Sequence, residues 1–507
     1  MLRKVTTENG RIQGLPAADP RITSFKGIPF AAKPTGENRW RAPQPAESWG
    51  DVLKAFEFAP ISMQAPVGIN KEDIYTREWA VDPDIAMNED CLYLNVWTPA
   101  CSTEEKLPVF VWYFGGGLQV GNTSEMEFDG ERIARRGIVV VTINYRLNVF
   151  GFLCHPDITK EAPEAPANFG HLDQQAGTKW VKRNIAAFGG DPENITIGGQ
   201  SAGGGSVLSQ LTAPQNENLF QKAIIESGLI TEIYPGDRVP IIRQSLTEAE
   251  QEGVKFFQYL GVSSLVEARK LDADYINHKA LEYKKMWCTV IDGIFCMDSS
   301  YDLFLANKRW MAPILWGHTS DEFYHIPKAE TLEEFVQMAR ELFGEDSEEF
   351  LSLCQASTGN FEEVIKKTSV RGIEYAVRVA AEASIMNGAE PPIYYYNFDV
   401  DIPGWDNPGN FHSVDLWFFF ETLAKCWRPF VGKHYDLARQ MCNYWANFIS
   451  TGNPNGKDST GEAMPLWEPY TLQAPYGMLF RDKAEFCKEQ PSDIMKFLVK
   501  AYFKNRE

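Results

Sequence analysis

The chain has 507 residues, 44% of them hydrophobic and 13% aromatic, which is ample material for a packed core and excludes a disordered or low-complexity protein. A formal net charge of -19 argues against polyanionic partners, so neither nucleic acid nor an anionic membrane surface is expected. No apolar run reaches the ~18 residues of a membrane span, the first residues lack the apolar core of a signal peptide, and the nine cysteines are scattered without a C-x-x-C; these point to a cytoplasmic chain with reduced thiols and no metal site.

In chain order, the first distinctive stretch is 66–90, a long acidic loop expected to border a pocket, with a plain surface connection as the alternative. Near-continuous apolar runs follow at 108–114, 138–145, 194–197, 222–227, 312–317 and 392–398. Unbroken rather than alternating hydrophobicity marks strands buried on both faces, as in a parallel sheet covered by helices. Between them, 171–190 reads as a helix closed by a glycine pair, and 240–285 as charged helices inserted over the sheet. The alternation predicts an α/β protein with a central, mostly parallel twisted sheet flanked by helices. With no repeat or linker, residues 1–507 read as one catalytic domain, in which about 66–90 and 230–310 cover the site.

Five glycines surround one serine in "GGQSAGGG", residues 198–205. Glycine costs roughly 1 kcal/mol against alanine inside a regular element, so such clustering needs a positive φ or a close backbone approach to justify it. The strand signal "NITI" precedes the cluster, and "SVLSQLTAP" continues it as a helical face that stops at Pro214. Gly199-Gln200-Ser201-Ala202-Gly203 then fits G-x-S-x-G, a turn from strand to helix that presents the serine hydroxyl at the end of a sheet.

A nucleophilic serine needs a base, an acid that orients the base, and donors for the oxyanion. In proteins built on this turn the acid and then the base follow the serine, which excludes His155 and His171. His278 and His434 lie in charged helical stretches and read as surface residues. His412 ends the Pro/Gly/Asn loop "GWDNPGNFH" before an aromatic run, where a loop can hold a base, and the strand at 312–317 leads to two candidate acids, Asp321 and Glu322. His318 competes as base but precedes both acids. A second glycine run, Gly115-Gly116-Gly117, ends the strand at 108–114 and fits an oxyanion loop. It does not fit a dinucleotide loop, since G-x-G-x-x-G from Gly115 meets Val120 where glycine is required; with no G-x-x-x-x-G-K-[ST] either, no cofactor is expected.

Over nearly its whole length the sequence resembles the type-B carboxylesterase family, the cholinesterase-like α/β hydrolases that include bacterial para-nitrobenzyl esterases. The likeness runs through "FKGIPFA" (25–31), "NEDCLYLNVWTP" (88–99), "NYRLNVFGFL" (144–153), the stretch 168–204, "DEF" (321–323) and "NFISTGNPN" (447–455). The resemblance implies an α/β-hydrolase fold and a serine carboxylesterase acting on small-molecule carboxylic esters through an acyl-enzyme. It implies Ser201 as nucleophile, Glu322 as acid, His412 as base, Gly116, Gly117 and Ala202 as oxyanion donors, and Gln200 and Ser227 as supporting residues. Amidase or lactonase chemistry on the same site is the nearest alternative, and a non-catalytic interaction protein the more distant one. Three departures stand out: Ser62 where the family often has a cysteine partner for Cys91, Gln200 for a common glutamate, and Phe114 and Leu118 for His or Tyr and Phe beside the glycine run.

Overall fold

A computed structural model describes residues 1–229, 231–234 and 244–504. The parts of the expected cover at 230 and 235–243 lie outside the described residues. Eleven strands form the central sheet: β1 (Leu15–Pro16), β2 (Thr23–Pro29), β3 (Tyr93–Thr98), β4 (Leu107–Tyr113), β5 (Val139–Ile143), β6 (Gly190–Gln200), β7 (Lys222–Glu226), β8 (Ile314–Thr319), β9 (Ile393–Phe398), β10 (Gly477–Phe480) and β11 (Ala484–Cys487). Their spatial order is β11-β10-β9-β8-β7-β6-β4-β5-β3-β2-β1. From β10 across to β5 every pair is parallel, and antiparallel strands are confined to the two flanks.

Every residue of β5 and of β7 is buried, which is why Val139–Ile143 and Lys222–Glu226 carry no alternation. Apolar clusters pack on both faces, one around Val111, Ile197, Ile225 and Trp180, the other around Phe110, Trp112, Ile224 and Trp445. Adjacent residues of one strand thus enter opposite cores, as the pleat requires. The helices used below are α1 (Ile74–Glu78), α2 (Phe169–Asn184), α3 (Ala202–Thr212), α4 (Leu246–Leu260), α5 (Ala273–Tyr283) and α6 (Gly432–Thr451).

The expected elements differ from the structure at their ends. The helix read as 171–190 is α2 followed by a 3-10 turn, Ile185–Phe188, which the left-handed Gly189 closes. The segment "GDPEN", just ahead of the strand signal at 194–197, belongs to β6. Leu107 pairs with Gly190 and Val109 with Ile195, so a register shift absorbs the intervening residues. The charged stretch 240–285 supplies α4, capped by a Ser245/Glu248 box, and α5, capped by Asp272.

The sheet's parallel centre delivers β4, β6, β7, β8 and β9 to one edge. Tyr113 lies opposite Gly199, Gln200 opposite Glu226, and Glu226 opposite Gly317. Loops leaving the carboxyl ends of these strands therefore converge, the usual location of a site in an open α/β sheet.

Candidate active site

Ser201 stands between β6 and α3 at φ 56 and ψ -125, a conformation that L-residues rarely adopt. Its N–H is held by Glu226 O at 2.9 Å, and its carbonyl accepts from Gly205 N at 2.9 Å. The glycines make this turn possible by clearance. A Cβ on Gly203 would lie 2.1 Å from Tyr113 O, one on Gly199 2.4 Å from Gly203 C, and one on Gly204 2.7 Å from Gly228 Cα. Strand and helix cross closer than any side chain permits.

Glu322, three residues beyond β8, is buried and accepts three hydrogen bonds. Ser227 Oγ donates to Oε1 at 2.7 Å, Thr319 N to the same oxygen at 2.9 Å, and Oε2 meets His412 Nδ1. Burial alone would raise this carboxyl, but the neighbouring His412, His318 and Ser227 outweigh it and hold it below its ordinary range. The geometry places the imidazole proton on Nδ1 and leaves Nε2 as an acceptor, which Gln200 Nε2 approaches at 3.4 Å. Asp321 points elsewhere: its Oδ2 accepts from Asn410 N at 2.8 Å and so pins the loop that carries His412. Phe323 packs its ring edge-on to His412 at 4.7 Å.

Two cavities open on either side of Ser201. The first, about 470 Å³, is bounded by Ser201, Gln200 and His412, by Gly115, Gly116 and Gly117, and by Tyr75, Trp79 and neighbouring residues of the 66–90 loop. The second, about 550 Å³, is bounded by Ser201, Ala202, Leu118 and Phe323, and by Met286, Cys288 and Cys296 from the inserted segment. Gly117, Ser201 and Phe323 lie on both walls. The glycine loop is held by Gln64, which accepts from Gly121 N at 2.9 Å and donates to Gly121 O at 3.1 Å.

The first cavity carries an acidic wall that sequence reasoning missed. Burial pushes Glu125 up to about 7, and burial together with the Glu125 charge pushes Glu127 well above the carboxylate range. Glu125 and the buried Glu127 face each other, and among the described residues no cationic side chain pairs with Glu127. Only spacing along a loop separates these two from any other glutamates, so no local pattern announced them.

Five further histidines have structural partners. His171 is buried between Gln174 and Thr289, and burial lowers it to about 4. His318 bonds Thr319 O and the Tyr395 hydroxyl, and His155 accepts from Asp157 N at the start of a short helix. His278 is exposed beside Glu282. His434, expected at the surface, is instead buried: its ring accepts from Val431 N and bonds Asp401 O, so the charged neighbours in its sequence lie on the other side of α6.

A sequence model described as the carboxylesterase family matches residues 2–493. The chain belongs to the carboxylesterase family. It is 31% identical over 475 residues to the para-nitrobenzyl esterase of Bacillus subtilis, covering 89% of this chain and 90% of that protein, and 30% identical over 513 residues to the human cocaine esterase, covering 93% and 86%. The fold matches the crystal structure of a carboxylesterase from Geobacillus stearothermophilus with a TM-score of 0.75 at 28% identity, over 99% of this chain and 100% of that one. This carboxylesterase is therefore an ester hydrolase of the serine type.

Two departures from the family pattern acquire physical meaning in this carboxylesterase. Phe114 shapes neither cavity; it is buried, stacks on Tyr145 at 4.3 Å, and the Tyr145 hydroxyl donates to its carbonyl at 2.7 Å. Leu118 does line the second cavity. All nine cysteines are free thiols. Cys91 is buried against Ser62, whose hydroxyl donates to Tyr145 O at 2.6 Å. Among the described residues no helix is long and apolar enough to cross a membrane.

Proposed function

We propose that the ester is opened by Ser201, with His412 as general base, Glu322 as the acid that orients it, and the N–H groups of Gly116, Gly117 and Ala202 as oxyanion donors. The carrying observation is that His412 is fixed through Nδ1 by a buried carboxylate while Nε2 is left as an acceptor on the cavity that Ser201 enters. Ser201 Oγ forms the bond to the carbonyl carbon as its proton moves to Nε2. The tetrahedral oxyanion then collapses, the C–O bond to the alcohol breaks, and the imidazolium returns the proton to the departing oxygen. Water repeats the sequence on the acyl-enzyme and releases the acid.

The two cavities give the halves of the substrate separate places. The leaving oxygen must lie beside His412, so the cavity with His412 in its wall suits the alcohol half and the other the acyl half. Ser227 and Gln200 act as positioning residues, one on the carboxylate and one on the imidazole. Residues 1–507 are read as one catalytic unit on a small carboxylic ester. Labelling with a fluorophosphonate tests the assignment: the adduct should map to Ser201 and vanish in Ser201→Ala.

A further inference from the structure

Two tryptophans lie exposed just outside the first cavity. Trp405 is 77% exposed and Trp427 38%, with ring centroids 6.1 Å apart. They border a groove of about 390 Å³ with Val81 and Arg77. Gly68 and Thr76 line both this groove and the cavity that holds Ser201 and His412, so the two spaces adjoin across that rim. The helix α1 is the divider: Tyr75 faces the inner space, Arg77 the outer one, and Thr76 both.

Trp427 is anchored by a buried carboxylate, and the loop that carries Trp405 is held by charge pairs. Glu78, at the end of α1, is fully buried and accepts from Trp427 Nε1 at 3.1 Å and Arg428 Nε at 2.9 Å. Arg428 also pairs with Asp406 at 2.9 Å, and Arg77 bonds Asp406 at 3.2 Å while its guanidinium lies 5.4 Å from the Trp405 ring. This chain of charges fixes α1 and the 403–409 loop against each other, yet it leaves most of the Trp405 ring unpacked. Large exposed aromatics on a fixed frame mark a binding surface.

We propose that Trp405 and Trp427 form an outer subsite that takes a distal aromatic group on the alcohol half of an extended ester, reaching the triad past Thr76. This rests on the assignment of the His412 cavity to the alcohol. Adjacency to that cavity argues for the occupant, since an alcohol long enough to pass over the Gly68 and Thr76 rim enters this groove.

The test uses three acetate and alkanoate series with the full-length enzyme: ethyl acetate, acetates of ω-phenylalkyl alcohols of increasing chain length, and ethyl ω-phenylalkanoates. In Trp405→Ala, kcat/KM for the longer phenylalkyl acetates should fall by roughly fivefold or more relative to ethyl acetate, mainly through KM, with Trp405→Phe restoring most of it. The phenylalkanoates should not show this relative loss. An unchanged ratio, or an equal loss on all three series, overturns the subsite. Loss confined to the phenylalkanoates overturns both the subsite and the cavity assignment, whereas an error in the triad shows separately as ethyl acetate hydrolysis that survives Ser201→Ala.

Discussion

Ser227 Oγ donates to Glu322 Oε1 at 2.7 Å, from a serine held at φ 47 immediately after β7. The carboxylate is thus anchored on one oxygen by a neighbouring strand end and presents the other to His412. Asp321, the adjacent acid, spends its carboxylate on Asn410 N. Glu322→Gln should therefore lower kcat by roughly 10³-fold or more, by analogy with loss of the orienting acid in other triads, and Asp321→Asn by less than about tenfold, since its amide oxygen can still accept from Asn410. Steady-state kinetics on one short ester compares them; equal losses would place the orienting role elsewhere.

Ser201→Ala should abolish turnover by about 10⁴-fold or more while the protein remains folded, because removing a nucleophile leaves binding and oxyanion donors in place. Circular dichroism and activity on the same sample check both halves of the statement.

The glycines of the elbow should not be equivalent. A Cβ at Gly203 meets Tyr113 O at 2.1 Å and Phe114 O at 2.8 Å, whereas one at Gly205 meets nothing nearer than Gly228 O at 3.5 Å. Gly203→Ala should cost more than about 4 kcal/mol or prevent folding. Gly205→Ala, inside α3, should be neutral or gain up to about 1 kcal/mol from helix propensity. Urea melts of the pair give the comparison.

Glu127→Gln should flatten the pH dependence of stability. Between the ordinary carboxyl range near 4.5 and about 7, the native Glu125 and Glu127 keep protons that the unfolded chain releases, so stability falls as pH rises through that window. Glutamine mimics the protonated form and removes this contribution. The melting temperature of the wild type should drop between pH 5 and pH 8 by more than that of the variant; parallel curves would deny the buried pair its protons.

With nine free thiols, the melting temperature should be the same with and without dithiothreitol, and the denatured protein should titrate nine thiols. Cys91 and residue 62 touch, so Ser62→Cys should close a bridge under mild oxidation and stabilise by about 3 kcal/mol, a gain that reductant reverses.

The parallel strands were legible because burial on both faces erases alternation: 108–114, 222–227 and 392–398 differ from β4, β7 and β9 by no more than one residue at any end. The flanking strands β1, β2, β10 and β11 carry short or mixed patterns and gave no such signal. At the site, the glycine clusters, Ser201 and the loop that carries His412 leave local marks through close backbone approach and loop delivery, whereas the residues alone left Asp321 and Glu322 open and only the family resemblance pointed to Glu322. The pocket walls could be read only in part: the 66–90 loop, with Trp79, borders a pocket as expected, whereas Gln64 and Glu127 join that wall from other segments, and their meeting is a property of tertiary packing. His434 shows the same limit, since charged sequence neighbours concealed a buried ring.

Ser201 keeps its left-handed backbone only while Glu226 O receives its N–H, Tyr113 crowds Gly203, and Ser227 N is held by Gly317 O. Those contacts join four strands separated by more than two hundred residues of chain, from β4 at 107 to β8 at 319. Parallel pairings of such span form slowly, because loops must close before any contact repays them. During refolding, helical signal should return early and fluorophosphonate reactivity last. Catalytic competence is in this sense a clock of complete assembly: a partly folded intermediate, however compact, holds an ordinary serine.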